Sequence, residues 1–442
     1  MGRLHQYFFA YFETFPAPTA ETLFLLVLSI LAMESARSIR FLYRHFLSSI
    51  TEKSQNAFYY ACSYAKVDYS RFMDVTASMA LELIPERLKP QPVFLCIDDT
   101  MAAKFVKEFE DVSKLFDHAA HNGCSYLNGH CFVSLMLCVP VWRGHRVSYL
   151  AVPLGYRMWR KEESKPELAA SMVRQAMPGL SAQRSVIILC DSWYAKKDLL
   201  CVVDEYANLD VICNARCDSV IYDLAPQPTG RRGRPARHGR RLSTESDFTL
   251  SDERIGDYYI GVRRVLTDLF GRREVLAYVT ASEKGQGSRR LFFSTNFPHQ
   301  MHMYCAWQEK APLNQAGSSQ MPYIPMLCYC LRWNIGVSYY EQKTFWSLCS
   351  YMVRSRKGIE MLVNLINVAY CAMKILPYQE EAFSKYRGES VQEFRFALSE
   401  GIRRQVFYAT FLRNIETGIK SIAFVKGLNL LLQRQNNNWH KL

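Results

Sequence analysis

The chain has 442 residues, of which 49% are hydrophobic and 21% are charged, a balance that excludes a disordered or low-complexity protein. Lys and Arg total 54 against 41 Asp and Glu, and this net charge of +13 favours a polyanionic partner, either nucleic acid or an anionic membrane surface. The 14 cysteines form no CxxC pair, which argues against a zinc ribbon or a disulfide framework and indicates a reducing cytoplasm.

The N-terminal region, residues 1–88, has the apolar spacing of helices. Its longest apolar stretch, over 23–33, is about half of the ~20 residues that a membrane-spanning helix needs, so we expect a soluble, cytoplasmic protein with no membrane partner. On the segment that follows, Arg37, Arg40 and Arg44 form a basic stripe. This stripe is either a phosphate-contacting face that gives the region a role in DNA binding, or the solvated face of an amphipathic helix.

Strands are predicted from residue 92 onward. Apolar runs that predict them lie over 93–97, 131–142, 147–154 and 186–190. A helix is expected between the last two runs, over 166–177, because Pro178 and Gly179 end the helical pattern directly after it. Strands in a meander, followed by alternating strands and helices, predict a mixed sheet with helices on its faces.

Aspartates follow two of these predicted strands. Asp98 and Asp99 come directly after the first run, and Asp191 comes directly after the run over 186–190. Carboxylates at the ends of neighbouring strands can converge on a divalent cation. Because adjacent residues of a strand face opposite sides of the sheet, only one of Asp98 and Asp99 can enter such a site.

A further set of strands is predicted within residues 209–298, which lack helical periodicity. Within this stretch, residues 230–241 are half Arg, and their Gly and Pro residues disfavour helix and strand. We expect a mobile loop whose arginines track DNA phosphates or enter a narrow minor groove. These arginines are Arg231, Arg232, Arg234 and Arg237. An exposed loop without a ligand is the alternative.

A polar stripe is predicted on a helix over 329–343. At ~100° per residue, Tyr329, Arg332 and Lys343 fall on one narrow stripe about four turns long. A Tyr, an Arg and a Lys on one stripe are suited to holding phosphate oxygens.

These motifs, in this order, resemble those of DDE transposases from bacterial insertion sequences. Tyr329, Arg332 and Lys343 match the Y-x2-R-x3-E-x6-K signature of that family. Asp99, which directly precedes a Thr, resembles the first-aspartate motif, and Asp191 resembles the second. Three ordered motifs make the resemblance specific, whereas any one alone is weak.

The resemblance implies an α/β fold, a ribonuclease H-like mixed sheet with helices on its faces, interrupted by a β-rich insertion. The implied regions are a helical N-terminal part over 1–88, the core over 89–208 and 299–375, the insertion over 209–298, and a helical C-terminal part over 376–442.

The same resemblance implies a function. DNA strands would be cleaved at transposon ends and transferred to target DNA, by a dimer assembled on the DNA. The cofactor would be two Mg²⁺ ions, or Mn²⁺, with Asp99 and Asp191 as catalytic residues and metal ligands.

The chain departs from the family at the third carboxylate, because Gly336 stands where the signature has Glu. Glu341 is the nearest acid, but five residues turn a helix by about 140°, so Glu341 should point away from the stripe. Either the change is inactivating, or a local distortion brings Glu341 inward. Three functions stay open: a transposase with impaired catalysis, an inactive transposase-derived DNA-binding protein, and a metal-dependent hydrolase of another phosphodiester.

Overall fold

A computed structural model describes residues 2–105, 108–117, 125–180, 184–227, 236–271, 273–284, 288–297, 321–419 and 426. Eleven α-helices lie within these residues. They are α1 (Gly2–Phe12), α2 (Ala17–Ala32), α3 (Ile39–His45), α4 (Gln55–Tyr64), α5 (Tyr69–Glu82), α6 (Lys165–Ala176), α7 (Lys197–Leu200), α8 (Ile324–Tyr329), α9 (Trp333–Phe345), α10 (Arg356–Gln379) and α11 (Val391–Ile419). The N-terminal region is helical, as its apolar spacing predicts.

Eleven strands lie in the same described part of the chain. They are β1 (Val93–Ala103), β2 (Ser113–Phe116), β3 (Tyr126–Arg143), β4 (Arg146–Met158), β5 (Val186–Cys190), β6 (Leu209–Ala215), β7 (Ile221–Tyr222), β8 (Arg241–Leu242), β9 (Tyr259–Val265), β10 (Val275–Ala281) and β11 (Arg290–Ser294). Nine of them form one mixed sheet in the order β2-β3-β1-β5-β6-β11-β10-β9, with β4 also paired to β3. The expected mixed α/β architecture is therefore present.

The strand β1 is longer than its apolar run. It pairs antiparallel with β3 as far as Ala103, whereas its parallel pairing with β5 ends at Cys96 and Leu189. Asp98 and Asp99 therefore lie inside β1, with β3 on one side, but beyond the last residue that β5 covers. The part of β1 beyond Cys96 is therefore paired with β3 but not with β5.

Strands of the expected β-rich insertion continue the main sheet. β6 pairs parallel with β5, and β11, β10 and β9 follow in antiparallel order. Only β7 and β8 form a separate two-stranded sheet within the described residues. Of the loop arginines, Arg231, Arg232 and Arg234 lie outside the described residues, and Arg237 is exposed.

The helix α10 packs across β4 and is buried along most of its length. It is the one described helix long and apolar enough to cross a membrane, but 89% of its apolar window is buried inside the protein. Its Asn364 and Asn367 side chains bond the backbone of Tyr156 and Pro153 on β4, next to a shift in the β3–β4 register. These amides thereby provide partners for the carbonyls of Pro153 and Tyr156 and for the N–H of Tyr156 where the strand pairing is irregular. We therefore assign α10 as a core helix.

The glycine at position 129 is required by close packing of strands. Gly129 lies where β3 pairs with Ala103 of β1 and Ser113 of β2, and an added Cβ would lie 2.2 Å from the carbonyl oxygen of Ala102. Gly129→Ala is expected to lower the free energy of unfolding by about 1–3 kcal/mol, because backbone atoms must move apart. Urea denaturation measures the change. Gly401→Ala on α11 is the control, because an added Cβ there meets nothing within 4 Å. Equal losses in both variants would contradict this explanation.

Candidate functional site

The carboxylates of Asp98, inside β1, and Asp191, directly after β5, converge. The parallel register pairs Val93 with Val186, and the same offset carries Asp98 to Asp191, so both lie on one face of the sheet. Nη2 of Arg332 lies 3.0 Å from Oδ2 of Asp98 and 3.2 Å from Oδ2 of Asp191. One cationic nitrogen thus marks the point on which two carboxylate oxygens converge.

The Asp191 side chain is held by its own turn. Its Oδ1 accepts hydrogen bonds from the backbone N–H groups of Trp193 at 3.0 Å and Tyr194 at 3.2 Å. An aspartate that bonds the backbone two and three residues ahead stabilises such a turn. The other oxygen, Oδ2, remains directed at Arg332.

The Asp98 carboxyl has an altered acidity. Burial raises its pKa to about 7, against the lowering effect of Arg332, and the negative charges of Asp191 and Asp99 add to the increase. A shift of this kind is typical of carboxylates gathered in a functional site, although structural ion pairs also produce it. Asp98 is therefore costly to keep ionised even beside Arg332, and a further cation at this point would favour the ionised form.

Asp99 lies on the opposite face and has different partners. Its Oδ2 accepts from Nζ of Lys165 at 2.8 Å and from Sγ of Cys131 at 3.0 Å, and its Oδ1 accepts from the Tyr194 hydroxyl at 2.9 Å. We expected Asp99 to meet Asp191, but the structure brings Asp98 to that position. The alternation of β1 is as expected; the strand register decides which of the two acids faces Asp191.

Lys165 is placed by the start of α6. Ser164 and Glu167 form a capping box, in which the Ser hydroxyl accepts from N–H of Glu167 and the Glu carboxylate accepts from N–H of Ser164. This fixes Lys165 in the first turn, where its side chain is 17% exposed beside an Asp99 side chain that is 15% exposed. Burial lowers the pKa of Lys165, but Asp99 more than offsets this, so the pKa lies above its ordinary value.

The predicted polar stripe is divided by a tighter turn. A 3₁₀ helix over Cys330–Arg332 separates α8 from α9, where we expected one continuous α-helix. The Tyr329 hydroxyl donates to the carbonyl of Cys190 at 3.3 Å, while Lys343 is exposed. Of the three signature residues, Arg332 is the one whose side chain bonds the aspartates.

Gly336 lies on α9, one turn after Arg332. A Cβ added at Gly336 would meet no atom within 4 Å, so the space beside it is open. Glu341 bonds instead to the hydroxyl of Tyr370, and its Oε2 lies 3.9 Å from Nζ of Lys374, both on α10. Glu341 is therefore engaged with α10, in agreement with its expected angular separation from the stripe.

The site fits a divalent cation held by two carboxylates. Among the described residues, no group of three or more His, Cys, Asp or Glu side chains has the arrangement of a metal site. Asp98 and Asp191 nevertheless provide the hard oxygen ligands that Mg²⁺ prefers, and the guanidinium nitrogen between them shows that a positive charge is accommodated there. A cation at this point would need its other ligands from water or a substrate phosphate.

Lys165 and Tyr194 were not anticipated from the sequence, and Asp98 was considered beside Asp99 but not assigned to the site. The runs over 93–97 and 186–190 both contain five residues, so the first acid after each run, Asp98 and Asp191, is the matched pair. The Ser-x-x-Glu spacing of the capping box marks the start of α6 and thus places Lys165 in its first turn. No local pattern distinguishes Tyr194, whose role depends on contact with β1.

Comparison with known protein families gives a match over the first part of the chain. The sequence model of a family described as DDE superfamily endonuclease matches residues 10–260, which is more than half of the chain. This span includes both strands that carry the aspartates, and it ends before α8 and α9. No curated protein matches the chain.

Proposed function

Because this chain belongs to the DDE superfamily endonuclease family, we propose that it is the DNA transposase of an insertion sequence, which binds the ends of its element and cleaves them with a divalent cation. The observation that carries this proposal is the convergence of Asp98 and Asp191 beside Arg332. The net charge of +13 agrees with a DNA substrate.

The proposed metal ligands are Asp98 and Asp191. A divalent cation held by these two residues would supply charge stabilisation for the attacked phosphate and would favour deprotonation of a water or a DNA 3′-hydroxyl. Asp99, which we first expected to fill this role, instead holds Tyr194 and Lys165, and through Tyr194 it fixes the turn that orients Asp191.

Arg332 is the proposed phosphate clamp. Its Nη2 bridges the aspartates, and its buried Nε has no hydrogen-bond partner among the residues that the structure describes. With a cation held by the two carboxylates, the guanidinium would be available to bind phosphate oxygens, which its planar fork suits. Lys343, which is exposed on α9, adds a second positive charge for the DNA backbone.

The match of Tyr329, Arg332 and Lys343 to three of the four positions of the Y-x2-R-x3-E-x6-K signature supports assignment to the insertion-sequence branch of this family. Synapsis of two ends requires at least two protein copies, so we propose a dimer on DNA, acting in the cytoplasm where the element's DNA is accessible. The loop arginines Arg231, Arg232, Arg234 and Arg237 are proposed to add contacts to the DNA backbone.

A second function is favoured by one observation. Gly336 supplies no carboxylate, and the described residues contain no three-ligand cluster. A chain with this deficit can retain DNA binding without chemistry, and would then act as a transposase-derived protein that occupies element ends. Cleavage separates the two functions, because both predict binding.

The test uses a plasmid that carries this gene with its flanking DNA. We expect specific binding to the flanks in EDTA, and weak Mg²⁺-dependent breaks confined to two boundaries around the gene, mapped by sequencing the broken ends. Breaks without a divalent cation, or scattered along the plasmid, would reject the transposase. Binding without any breaks would favour the inactive DNA-binding protein.

A further inference from the structure

The side chain of Arg332 lies between the two proposed metal ligands. Its Nη2 is 3.0 Å from Oδ2 of Asp98 and 3.2 Å from Oδ2 of Asp191. A Mg²⁺ ion lies about 2.0–2.1 Å from the oxygens that bind it, so an ion bound to either oxygen would lie within about 5 Å of this nitrogen. The guanidinium and the ion would therefore compete for the same pair of carboxylate oxygens.

The negative charge at this point is too small for two cations. Among the described residues, Asp98 and Asp191 are the acids within ion-pair distance of Arg332. Asp99 faces the opposite side of the sheet and is paired with Lys165, and position 336 carries no charge. A divalent cation balances both carboxylates by itself and leaves the guanidinium without a counter-charge. Because the Arg332 side chain is only 18% exposed, water screens the resulting repulsion poorly.

The backbone around Arg332 is held in place by the sheet. The Tyr329 hydroxyl donates to the carbonyl of Cys190 at 3.3 Å, and Sγ of Cys96 donates to the carbonyl of Leu331 at 3.7 Å. The 3₁₀ turn that carries Arg332 is therefore attached to both β5 and β1. Its guanidinium can leave the aspartates by side-chain rotation, without a movement of the turn.

A DNA phosphate offers the guanidinium a different partner. It brings a negative charge, and its oxygens suit the planar fork of an arginine. With the phosphate bound, the cation and the guanidinium each have a counter-charge, so that their mutual repulsion opposes binding less. Two ligands that favour the same arrangement of one side chain bind cooperatively, and each raises the affinity of the other by the same factor.

We propose that Arg332 makes the binding of the divalent cation depend on DNA. The guanidinium lowers the affinity for the cation until a DNA phosphate draws it away from Asp98 and Asp191. This inference rests on the proposed function for its choice of DNA as ligand. Its consequence is that the cation is held weakly by the unbound protein and firmly in the DNA complex, which confines cation-dependent cleavage to DNA that is already bound.

The first measurement is Mn²⁺ binding without DNA, read from the electron paramagnetic resonance signal of the free ion. Arg332→Gln is expected to bind Mn²⁺ about tenfold more tightly than the unaltered protein, because the competing positive charge is removed. Arg332→Lys keeps the charge and should bind Mn²⁺ about as weakly as the unaltered protein. Lys343→Ala removes a positive charge elsewhere on α9 and should leave the Mn²⁺ affinity unchanged.

The second measurement adds a short duplex taken from the DNA that flanks the gene, with Mn²⁺ binding to the duplex alone subtracted. The duplex acts on Mn²⁺ affinity in two ways, by supplying a phosphate ligand and by removing the guanidinium. Arg332→Gln keeps the first effect and loses the second. The rise in Mn²⁺ affinity caused by the duplex should therefore be about tenfold smaller in Arg332→Gln than in the unaltered protein. Lys343→Ala should bind the duplex more weakly but show the same rise as the unaltered protein.

The outcomes separate this inference from the proposed function. Mn²⁺ affinity without DNA that is equal in Arg332→Gln and the unaltered protein, or lower in Arg332→Gln, would overturn the inference. An equal effect of the duplex on both proteins would overturn it as well. Absence of Mn²⁺ binding in every variant, with and without the duplex, would reject the proposed metal site together with the inference. Coupled binding without boundary breaks in the plasmid assay would reject the proposed catalysis and leave the inference intact.

Discussion

Gly336→Glu is expected to increase Mg²⁺-dependent cleavage of the element boundaries by about a thousandfold, since a carboxylate ligand that contributes several kcal/mol to the transition state changes the rate by that order. Position 336 lies four residues after Arg332, hence on the same helical face. Arg332 already reaches Asp98 and Asp191, so a Glu one turn away is suitably placed to complete a three-carboxylate site.

The local structure permits this substitution. An added Cβ at Gly336 meets nothing within 4 Å, and Glu is a better helix former than Gly by roughly 0.5–1 kcal/mol. The measurement is the rate of boundary cleavage together with the affinity for Mn²⁺ by titration calorimetry. Both should rise, because the added ligand acts on the bound cation and not on DNA affinity.

The matched control is Gly401→Glu, which adds the same side chain to a helix with open space, on α11. It should change neither cleavage nor Mn²⁺ affinity. Equal cleavage rates in Gly336→Glu and the unaltered chain would show that position 336 does not belong to the site, and would turn attention to an acid elsewhere.

Asp98→Asn and Asp99→Asn are expected to have opposite effects. Asp98→Asn should abolish tight Mn²⁺ binding and should reduce cleavage by the Gly336→Glu protein to background, since it removes one of the two carboxylates that converge on Arg332. Its effect on stability should be smaller than that of Asp99→Asn, because Arg332 keeps Asp191 as a charged partner and burial raises the pKa of Asp98 to about 7, so its charged form is poorly stabilised.

Asp99→Asn should instead destabilise the fold by about 3 kcal/mol and leave Mn²⁺ affinity within a few-fold. The substitution leaves Lys165, whose side chain is 17% exposed, without its charged partner. Urea denaturation in EDTA and Mn²⁺ titration at a temperature where both variants are folded separate the two effects. Loss of Mn²⁺ binding in Asp99→Asn but not in Asp98→Asn would restore Asp99 as the metal ligand.

Strand positions were largely predictable from residue patterns. The run over 186–190 coincides with β5, because short apolar runs bounded by polar residues are typical of buried strands. The end of β1 was less predictable. This strand continues through two aspartates because β3 supplies hydrogen bonds as far as Ala103. A pattern of apolar residues does not indicate hydrogen bonds from a neighbouring strand.

The choice between Asp98 and Asp99 could not be predicted from the sequence. Alternation along β1 requires that Asp98 and Asp99 face opposite sides, and this follows from strand geometry alone. Which one faces Asp191 depends on the register between β1 and β5, a relation between segments about ninety residues apart. Similarity to a motif favoured Asp99, while the register brings Asp98 to Arg332.

Local chemistry in the chain thus specifies the apolar runs of the strands, the acids that follow those runs, the basic net charge and the absence of an acid at position 336. Folding specifies which groups meet: Arg332 between Asp98 and Asp191, Glu341 against α10, and the tryptophans around Lys165. The physical reason is that periodicity and turn chemistry act over a few residues, whereas these contacts join distant segments whose relative placement is set by sheet register and helix packing.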